Sequence, residues 1–401
     1  MADNKDKKVL NVPHLRFPEF SGEWEKCKLG DIATGFDYGM NAAAKPFDGE
    51  NKYIRITDID EASSTYIDKD IVSPDGTLTE NYLVNDRDIL LARTGASTGK
   101  SYLYRKSDGK LYYAGFLIRA NVTKHNPYFV FSQLHTHRYW SWVSIMSARS
   151  GQPGINSQEY SSFPVYVTSL REEEKISALL SLIDERIATQ NKIIEDLKKL
   201  KSAISKQVFA QEPNGWCRLD TLFSKGKAGG TPTSTNKEYY NGEIPFLSIN
   251  DITKQGKYVR YTENHLSQSG LENSSAWVVP KYSLIMSMYA SVGLVTINEM
   301  PLATSQAMFS MQLKDKNLLD YLYYYLSYFK YRHIHKYLET GTQSNINADI
   351  VRGIMIPNYG HSRNMEIAST LQGIDVKIDN ELSVLKLFNK QKNYLLSQMF
   401  I

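Results

Sequence analysis

A glycine-rich stretch, RTGASTGKS (93–101), contains residue types that could hold a phosphate. It follows an apolar run and ends in Gly-Lys-Ser, as the phosphate-binding loop of many nucleotide-binding proteins does. That loop needs four residues between its two glycines. Here only Ala96, Ser97 and Thr98 lie between Gly95 and Gly99. A similar stretch later in the chain, SMYASVGL (287–294), lacks both the first glycine and the lysine. The sequence therefore argues against a nucleotide site.

Two other patterns could indicate catalysis or metal binding. NPYF (126–129) resembles the Asn-Pro-Pro-Tyr/Phe box of amino-methyltransferases, but it is one proline short and no glycine-rich cofactor loop accompanies it. HTH (135–137) and HIH (333–335) could suggest a metal site. Residues two apart do not share a helix face, and no cysteine or carboxylate stands near either pair at ligand spacing. Packed or surface histidines are therefore the better interpretation, and we predict that this chain is not an enzyme.

A tyrosine-rich segment, YLYYYLSYFKY (321–331), leaves two interpretations open. Its aromatic rings could stack on the bases of a nucleic acid. Tyrosine and leucine at helical spacing more often form a stripe that faces the core, and we favour that interpretation.

The elements that would position any such residues are repeated. The segment KISALLSLIDERIATQNKIIEDLKKLKSAISKQVF (175–209) matches EIASTLQGIDVKIDNELSVLKLFNKQKNYLLSQMF (366–400) without a gap, 191 residues later. In each copy, seven of nine positions spaced alternately three and four residues apart are apolar, and the polar breaks coincide. They are Leu180, Ile183, Ile187, Gln190, Ile194, Leu197, Lys201, Ile204 and Val208, then Leu371, Ile374, Ile378, Glu381, Leu385, Phe388, Lys392, Leu395 and Met399.

This sustained period of 3.5 residues predicts two long helices that form a coiled coil with each other. A helix of about 40 residues would be roughly 60 Å long at 1.5 Å per residue, which is comparable to about 18 base pairs of DNA. Ser169 and Glu172 predict a capping box at the start of the first helix. The second copy offers Ser362 without a matching glutamate. An antiparallel pairing would keep Lys201 and Lys392 apart.

The regions ahead of the two helices share a frame. Both open alike (22–32 and 214–222), continue with a short apolar strand (52–60 and 244–252) and a buried-strand signal (86–104 and 281–297), and close on a Gly/Gln/Asn loop (150–156 and 340–347). Short β-rich runs with a helix near the end predict α+β domains. We therefore divide the chain into a flexible tail (1–12), a first domain (13–168), a first spacer helix (169–211), a second domain (212–360) and a second spacer helix (361–401).

Composition narrows the class of protein only slightly. A net charge of +4 over 401 residues fits a nucleic-acid partner but also fits many ordinary proteins. We find neither a signal-peptide pattern at the N-terminus nor a run of about 18 apolar residues, and we predict a cytoplasmic protein. The two cysteines, Cys27 and Cys217, are too few for a disulfide framework or a thiolate metal cluster.

Taken in order, these signals resemble the specificity subunits of type I restriction-modification systems. VPHLRFPEFSGEWEKCKLGDI (12–32) is similar to the family's N-terminal signature, and GGTPTSTNKEYYNGEIPFLSINDI (229–252) resembles the start of a target recognition domain. LARTGASTGK (91–100) and SGQPGIN (150–156) are similar to the family's central and closing loops, and the two helices occupy its repeat regions. The resemblance covers almost the whole chain.

The resemblance implies an α+β fold with two target recognition domains, joined by two long helices in an antiparallel coiled coil with a pseudo-twofold internal repeat. Each domain would read one half of an asymmetric, interrupted double-stranded DNA target. One copy per complex would recruit two methyltransferase subunits and then restriction subunits. S-adenosylmethionine, ATP and magnesium would bind those partners, with no cofactor and no metal in this chain.

The two domains depart from each other and from the family pattern. The first has DYGMNAAAKPF (37–47) where the family has Gly-Gly-Thr-Pro, which resembles another subtype of recognition domain. The second has SMYAS (287–291) where the first has RTGAS (93–97), so Arg93 and Thr94 have no matching polar pair. We therefore expect the two domains to read different half-sites.

Polar and basic residues on the shared loops are the candidates for contact with DNA. Arginine can bond guanine bidentately, whereas Lys, Ser and Thr more often hold phosphates. Loop Thr, Ser and Asn equally often cap turns. The candidates are Arg55, Thr57, Arg93, Thr94, Ser97 and Lys100 in the first domain, and Lys227, Thr231, Thr233, Asn250, Tyr289 and Ser291 in the second.

One alternative belongs to a different class: a coiled-coil adaptor or scaffold protein with two protein-binding heads. Basic and small polar loops at matching positions favour the DNA reader. Pull-down of methyltransferase subunits and site-specific protection of DNA would separate the two hypotheses.

Overall fold

The structure, a computed structural model, describes residues 10–148, 153–337 and 345–401. The chain divides into two compact units, one made of residues 1–191 and 383–401 and the other of residues 192–382. Both boundaries fall inside long helices. The first nine residues of the predicted tail, and parts of both predicted closing loops, lie outside the described residues.

The first unit is built mainly from short strands. A four-stranded antiparallel sheet has the order β2-β9-β6-β7, and three two-stranded pairs accompany it: β1-β10 and β3-β5, which are antiparallel, and β4-β8, which is parallel. The strands are β1 (Glu25–Lys28), β2 (Ala33–Tyr38), β3 (Ala43–Pro46), β4 (Lys52–Ile54), β5 (Val72–Asp75), β6 (Asp88–Ala92), β7 (Ser101–Leu103), β8 (Leu111–Tyr113), β9 (Leu117–Val122) and β10 (Pro164–Val167).

Four short helices and one long helix complete the first half of the chain. Asn126 caps the second of them by accepting hydrogen bonds from the backbone N–H groups of Tyr128 and Phe129, so the NPYF stretch is a helix start. The helices are α1 (Leu29–Ile32), α2 (Pro127–Gln133), α3 (His137–Ser147), α4 (Ser157–Ser161) and α5 (Leu170–Phe209).

The second unit uses the same plan with a larger sheet. Its five-stranded sheet has the order β12-β20-β17-β18-β14, a four-stranded sheet has the order β15-β13-β19-β16, and β11 pairs with β21. The strands are β11 (Gly215–Arg218), β12 (Phe223–Ala228), β13 (Tyr240–Leu247), β14 (Tyr258–Val259), β15 (Asn264–Leu266), β16 (Val278–Val279), β17 (Leu284–Ser287), β18 (Val295–Asn298), β19 (Leu302–Thr304), β20 (Met308–Leu313) and β21 (Met355–Asn358). The helices are α6 (Ile249–Gln255), α7 (Gln268–Glu272), α8 (Leu319–Arg332), α9 (Ala348–Gly353) and α10 (His361–Met399).

The α+β class and the internal repeat are as predicted. The antiparallel order β2-β9-β6-β7 recurs as β12-β20-β17-β18, and the parallel pair β4-β8 recurs as β13-β19. The predicted strand at 52–60 is shorter than expected, because β4 ends at Ile54 and a short 3-10 turn follows. The predicted strand at 244–252 ends at Leu247, and Ser248 caps α6 there.

The tyrosine-rich segment is a core helix, as favoured above. In α8 the side chains of Tyr321, Tyr324, Tyr325 and Phe329 are buried in the main apolar cluster of the second unit. Tyrosine hydroxyls in this helix donate to backbone carbonyls and to a carboxylate, so their burial leaves those groups bonded.

The long helices bury the positions that the sequence pattern predicts. Every predicted seam position of α5 and α10 is buried or half-buried, and Gln190 is among the buried ones. The two helices run antiparallel: Asp184 of α5 pairs with Lys392 of α10 at 2.7 Å, and Lys201 of α5 pairs with Asp375 of α10 at 2.5 Å. Asp184 and Lys201 are 17 residues apart in α5, and their partners Lys392 and Asp375 are 17 residues apart in the reverse order in α10.

Each of these ion pairs also binds a tyrosine of its own unit. Tyr128 donates its hydroxyl to Asp184 in the first unit. Tyr324 donates its hydroxyl to Asp375 at 2.8 Å in the second. Burial, followed by the charge of the neighbouring aspartate, raises the pKa of both tyrosines, which keeps them protonated as donors. We call these two groups the Lys-Asp-Tyr clusters.

The predicted capping box of the first long helix forms only in part. The Glu172 N–H lies 3.4 Å from the Ser169 hydroxyl, but the Glu172 carboxylate binds Arg16 at 2.7 Å and the Thr168 hydroxyl at 2.7 Å. Because this carboxylate is buried, a cation stabilises it better than a backbone N–H does. In the second copy, the helix begins at His361, so Ser362 lies inside the first turn.

Among the described residues, the helices are all too short or too polar to cross a membrane.

Candidate nucleic-acid interface

A concave site in the first unit contains three of the predicted contact residues. We call it the first-unit cleft; its volume is about 610 Å³. It lies where the loop after β2 meets the loops after β4, β6 and β8. Its lining includes Tyr38, Met40, Arg55, Thr57, Arg93 and Phe116.

The cleft depends on a glycine. Gly39 follows β2, and a Cβ atom placed there would lie 2.3 Å from the carbonyl oxygen of Ala114. No side chain fits that space, so only glycine permits the close approach of the two backbones. Gly39 also donates its N–H to the carbonyl of Leu117 at 3.1 Å.

The two arginines of the cleft differ in what they already bind. Arg55 donates to Asp58 through both Nε and Nη2, at 2.8 Å each, so one complete edge of its guanidinium is occupied. This pairing raises the pKa of Arg55. Arg93 stacks over the ring of Tyr38, with 4.6 Å between Cζ and the ring centroid. Its hydrogen bond to the carbonyl of Gly115 is long, at 3.5 Å.

The other candidates of the first unit are in several environments. Thr57 is exposed beside Asp58, and Ser97 lies in a 3-10 turn from Gly95 to Ser97. Thr94 pairs with Gly154 in an isolated β-bridge. Lys100 lies 3.4 Å from the carboxylate of Glu61. Arg55, Thr57 and Arg93 are therefore brought together, whereas Lys100 faces an acidic partner.

Tyr38 and Phe116 line the same cleft, and the sequence reasoning did not find them. Tyr38 is 41% exposed, and its hydroxyl accepts a hydrogen bond from the N–H of Ser157 at 3.3 Å. Hydrogen bonding from Ser157, first through its side chain and then through this N–H, lowers the pKa of Tyr38. Phe116 is 62% exposed, and its carbonyl accepts from the N–H of Arg93 at 3.1 Å. The AGF turn (114–116) between two buried strands was the available signal for Phe116.

In the second unit, the segment after β12 is packed more closely against its neighbours than the segment after β2 is in the first. A Cβ at Gly229 would lie 1.9 Å from the carbonyl oxygen of Thr304, and one at Gly230 would lie 2.2 Å from the Ser275 hydroxyl. Both glycines are therefore required by close packing. Next to them, the hydroxyl of Thr231 donates to the side-chain oxygen of Gln306.

The remaining candidates of the second unit are all exposed. Lys227 lies on β12, with its Nζ 3.5 Å from the carbonyl of Ser275. Thr233 is in a turn, where its carbonyl accepts from Asn236. Asn250 is on α6 and donates to Glu263 at 3.1 Å. A basic residue that we did not predict, Lys225, lies over the ring of Trp277 at 4.3 Å.

A strained turn displays Tyr289. Ala290 and Ser291 have φ angles of +39° and +52°, which residues with side chains rarely adopt. The buried hydroxyl of Ser287 holds this turn by donating to the carbonyl of Ser291 at 2.7 Å and accepting from the N–H of Leu294 at 2.9 Å. As a result Tyr289 is 41% exposed. Strain of this kind is often retained for function.

Backbone hydrogen bonds give the true correspondence between the two units. Arg93 donates to the carbonyl of Phe116 and accepts from Ile155, while Met288 donates to the carbonyl of Ala307 and accepts from Ile346. The sequence comparison set Ser287 against Arg93, but these bonds set Met288 there. The difference arises because the second loop is one residue shorter: five residues lie between Arg93 and Gly99, and four lie between Met288 and Gly293.

This correspondence shows how different the two surfaces are. Where the first unit has a guanidinium in a cleft, the second has a methionine side chain that is only 4% exposed. Where the first has an exposed phenylalanine, the second has Ala307. The frame is shared, and the side chains at its outer loops are chemically different.

The family described as "Type I restriction modification DNA specificity domain" matches this chain twice, over residues 21–199 and 213–385. The chain belongs to this family.

The chain is also similar to proteins named as specificity subunits. The type I restriction enzyme MjaIX specificity subunit of Methanocaldococcus jannaschii is 26% identical over 178 residues, which are 43% of this chain and 40% of that protein. This chain therefore spans about two fifths of that relative. The putative MjaX specificity subunit of the same organism is 24% identical over 93% of this chain and 91% of its own length.

A solved structure shares the fold. It is the type I restriction-modification S subunit from M. genitalium, with a TM-score of 0.60, 14% identity, and coverage of 97% of this chain and 99% of that one. The predicted family, the fold class and the assignment as a specificity subunit rather than an enzyme are confirmed, which favours the DNA reader over the coiled-coil adaptor.

Proposed function

We propose that this chain reads a bipartite, asymmetric DNA target for a type I restriction-modification complex, with one half-site per compact unit. The observation that carries the proposal is the pairing of one backbone frame with two different outer surfaces. Two equal readers would recognise a symmetric target, whereas Arg93 and the buried Met288 at the same position cannot make the same base contacts.

The two half-readings would combine because the units are covalently linked. Once one unit binds its half-site, the other is held near the DNA at a high effective concentration, so two short readings give one specific one. The antiparallel pairing of α5 and α10, fixed by the Lys-Asp-Tyr clusters, supports a constant gap between half-sites. Division of the chain into two recognition domains at 13–168 and 212–360, each followed by a spacer helix, remains part of this proposal.

The chemistry would come from other subunits. We propose that one copy of this chain, in the cytoplasm, recruits two methyltransferase subunits and later restriction subunits. S-adenosylmethionine would bind the methyltransferase subunits, and ATP and magnesium would bind the restriction subunits. The twelve predicted contact residues remain candidates, among which the cleft residue Arg93 has the geometry best suited to a base edge.

The test is a genome-wide map of methylated adenines in cells with and without this gene. We expect one interrupted motif, with two unlike halves, to be methylated only when the gene is present. A map that does not change, in cells where the partner methyltransferase is expressed, would contradict the proposal. Loss of methylation at an uninterrupted motif would contradict the two-reader arrangement.

A further inference from the structure

Of the two arginines in the first-unit cleft, Arg93 is better placed than Arg55 to bind a ligand. Arg55 uses a full edge of its guanidinium on Asp58. Among the described residues, the Arg93 guanidinium donates only the long bond to the carbonyl of Gly115, and its Cζ lies over the Tyr38 ring. A stacked guanidinium keeps its N–H groups pointing outward in the plane, where a flat acceptor can meet them.

Tyr38 is itself held in place. Its hydroxyl accepts from the N–H of Ser157, the first residue of α4, and Asn156 caps that helix. Tyr38 is the last residue of β2, immediately before Gly39, whose position is fixed by close contact with Ala114. The ring therefore has few alternative positions, and it limits the positions of Arg93.

Phe116 adds an apolar surface at the mouth of the same cleft. Its carbonyl accepts from the N–H of Arg93, and both residues line the cleft. Covering an exposed aromatic ring with a ligand removes apolar surface from water, which favours binding. A planar fork of donors beside an apolar ring matches the major-groove edge of guanine, which has two acceptors, next to the methyl group of a thymine.

We infer that Arg93 reads a guanine in the first half-site, that Tyr38 is the positioning residue that orients Arg93, and that Phe116 contacts the methyl group of an adjacent thymine. This inference rests on the proposed function and adds the base class that the first unit recognises. The second unit, with Met288 and Ala307 at the corresponding positions, lacks both contacts and must read its half-site differently.

The experiment measures binding of the assembled methyltransferase to duplexes that carry each of the four base pairs at every position of the motif found by methylome mapping. Wild type should prefer guanine at one position of one half-site. Arg93→Lys keeps the charge but loses the fork, and it should reduce that preference by about 10- to 100-fold. Preferences in the other half-site should not change.

Tyr38 variants separate positioning from simple packing. Tyr38→Leu removes the stacked ring and should weaken the same guanine preference, while affinity for unrelated DNA stays within about threefold. Tyr38→Phe keeps the ring and should retain most of the preference. Phe116→Ala should weaken the preference for thymine beside the guanine. Arg260→Lys is the matched control, because it makes the same change at an arginine of the second unit that is paired with Glu299.

The outcomes distinguish this inference from the proposed function. If the interrupted motif exists but Arg93→Lys leaves every base preference intact, or alters a position that is not guanine, the inference is wrong and the proposed function stands. If no gene-dependent motif exists, the proposed function fails first. Arg93 is only half-buried, so a folded variant is expected, and its melting temperature confirms that.

Discussion

The two units resemble each other next to the long helices and differ in the side chains of their outer loops. Near the helices, each has an antiparallel strand pair, β1-β10 or β11-β21, and a Lys-Asp-Tyr cluster. At the loops, a stacked arginine and an exposed phenylalanine in one unit replace a buried methionine and an alanine in the other. Similar attachment to the helices and different outer surfaces are what the proposed pair of unlike readers requires.

The likeness extends to the aromatic residue that ends each helix repeat. Phe400 packs in the first unit against Trp24 at 6.1 Å and Phe129 at 5.3 Å. Phe209 packs in the second against Tyr325 at 5.3 Å and Tyr328 at 5.2 Å. Phe209, at the end of α5, therefore lies in a core cluster of the second unit, and Phe400, just after α10, lies in a core cluster of the first.

The largest effect should come from removing these end residues. Phe400→Ala and Phe209→Ala should each lower the free energy of unfolding by about 3–5 kcal/mol, because both leave a cavity where a buried ring stood. Amide hydrogen exchange should show faster opening mainly in the first unit for Phe400→Ala and mainly in the second for Phe209→Ala. Exposed Leu387→Ala on α10 is the control and should change little. A loss below about 1 kcal/mol in either variant would mean that the attachments are not equivalent.

The second prediction concerns how the stability of the first unit depends on pH. His135 of the first unit donates from Nδ1 to the carbonyl of Phe131 and accepts at Nε2 from the Ser64 hydroxyl. Burial lowers the pKa of His135 to about 4, and the positive charge of Lys392 adds to this. Because the unfolded chain takes up the proton first, the stability is complete above pH 6.5 and falls as the pH drops toward 4, by up to about 3 kcal/mol.

Chemical denaturation between pH 7 and pH 4 checks this. His135→Gln should flatten the pH dependence of the first unit, whereas His137→Gln, two residues away and exposed, should leave it unchanged. An unaltered slope in His135→Gln would show that His135 is not the group whose protonation destabilises the first unit.

A smaller effect, similar in the two units, is expected when the ion pairs of the Lys-Asp-Tyr clusters are removed. Their lysines and aspartates are between 18% and 27% exposed, so we expect a coupling of about 1 kcal/mol in a double-mutant cycle for each pair. The pair of Lys199 with Glu195, exposed on α5, is the control and should show a smaller coupling, because water screens both charges. Couplings that differ by more than twofold between the two clusters would weaken the comparison.

Much of the fold follows from the sequence because it depends on local pattern. The seam of α5 and α10 is a matter of apolar spacing, so positions such as Gln190 and Lys201 were predicted correctly. The start of α5 was predicted only in part, since the partner of Glu172 is Arg16, which is 156 residues away in the chain. Contacts at that separation are not visible in a local pattern.

The site was predicted less completely for the same reason. Arg93 was chosen by residue type, but its partner Tyr38 and its neighbour Phe116 become visible only when three loops converge. Met288 was misaligned by one residue because loop length, unlike strand pattern, varies between the units. Gly39 was not matched with Gly229, since the close backbone contacts that demand glycine are tertiary.

The most direct test of the shared frame is a chain with two copies of the first reader. Residues 215–358, from β11 to β21, are replaced by residues 25–167, from β1 to β10, and both long helices are kept. Binding of the assembled complex to a library of random duplexes then reveals its target. We predict two copies of the first half-site in opposite orientations, with the original gap. A folded chimera that still selects the second half-site, or that binds no interrupted target, would contradict the account.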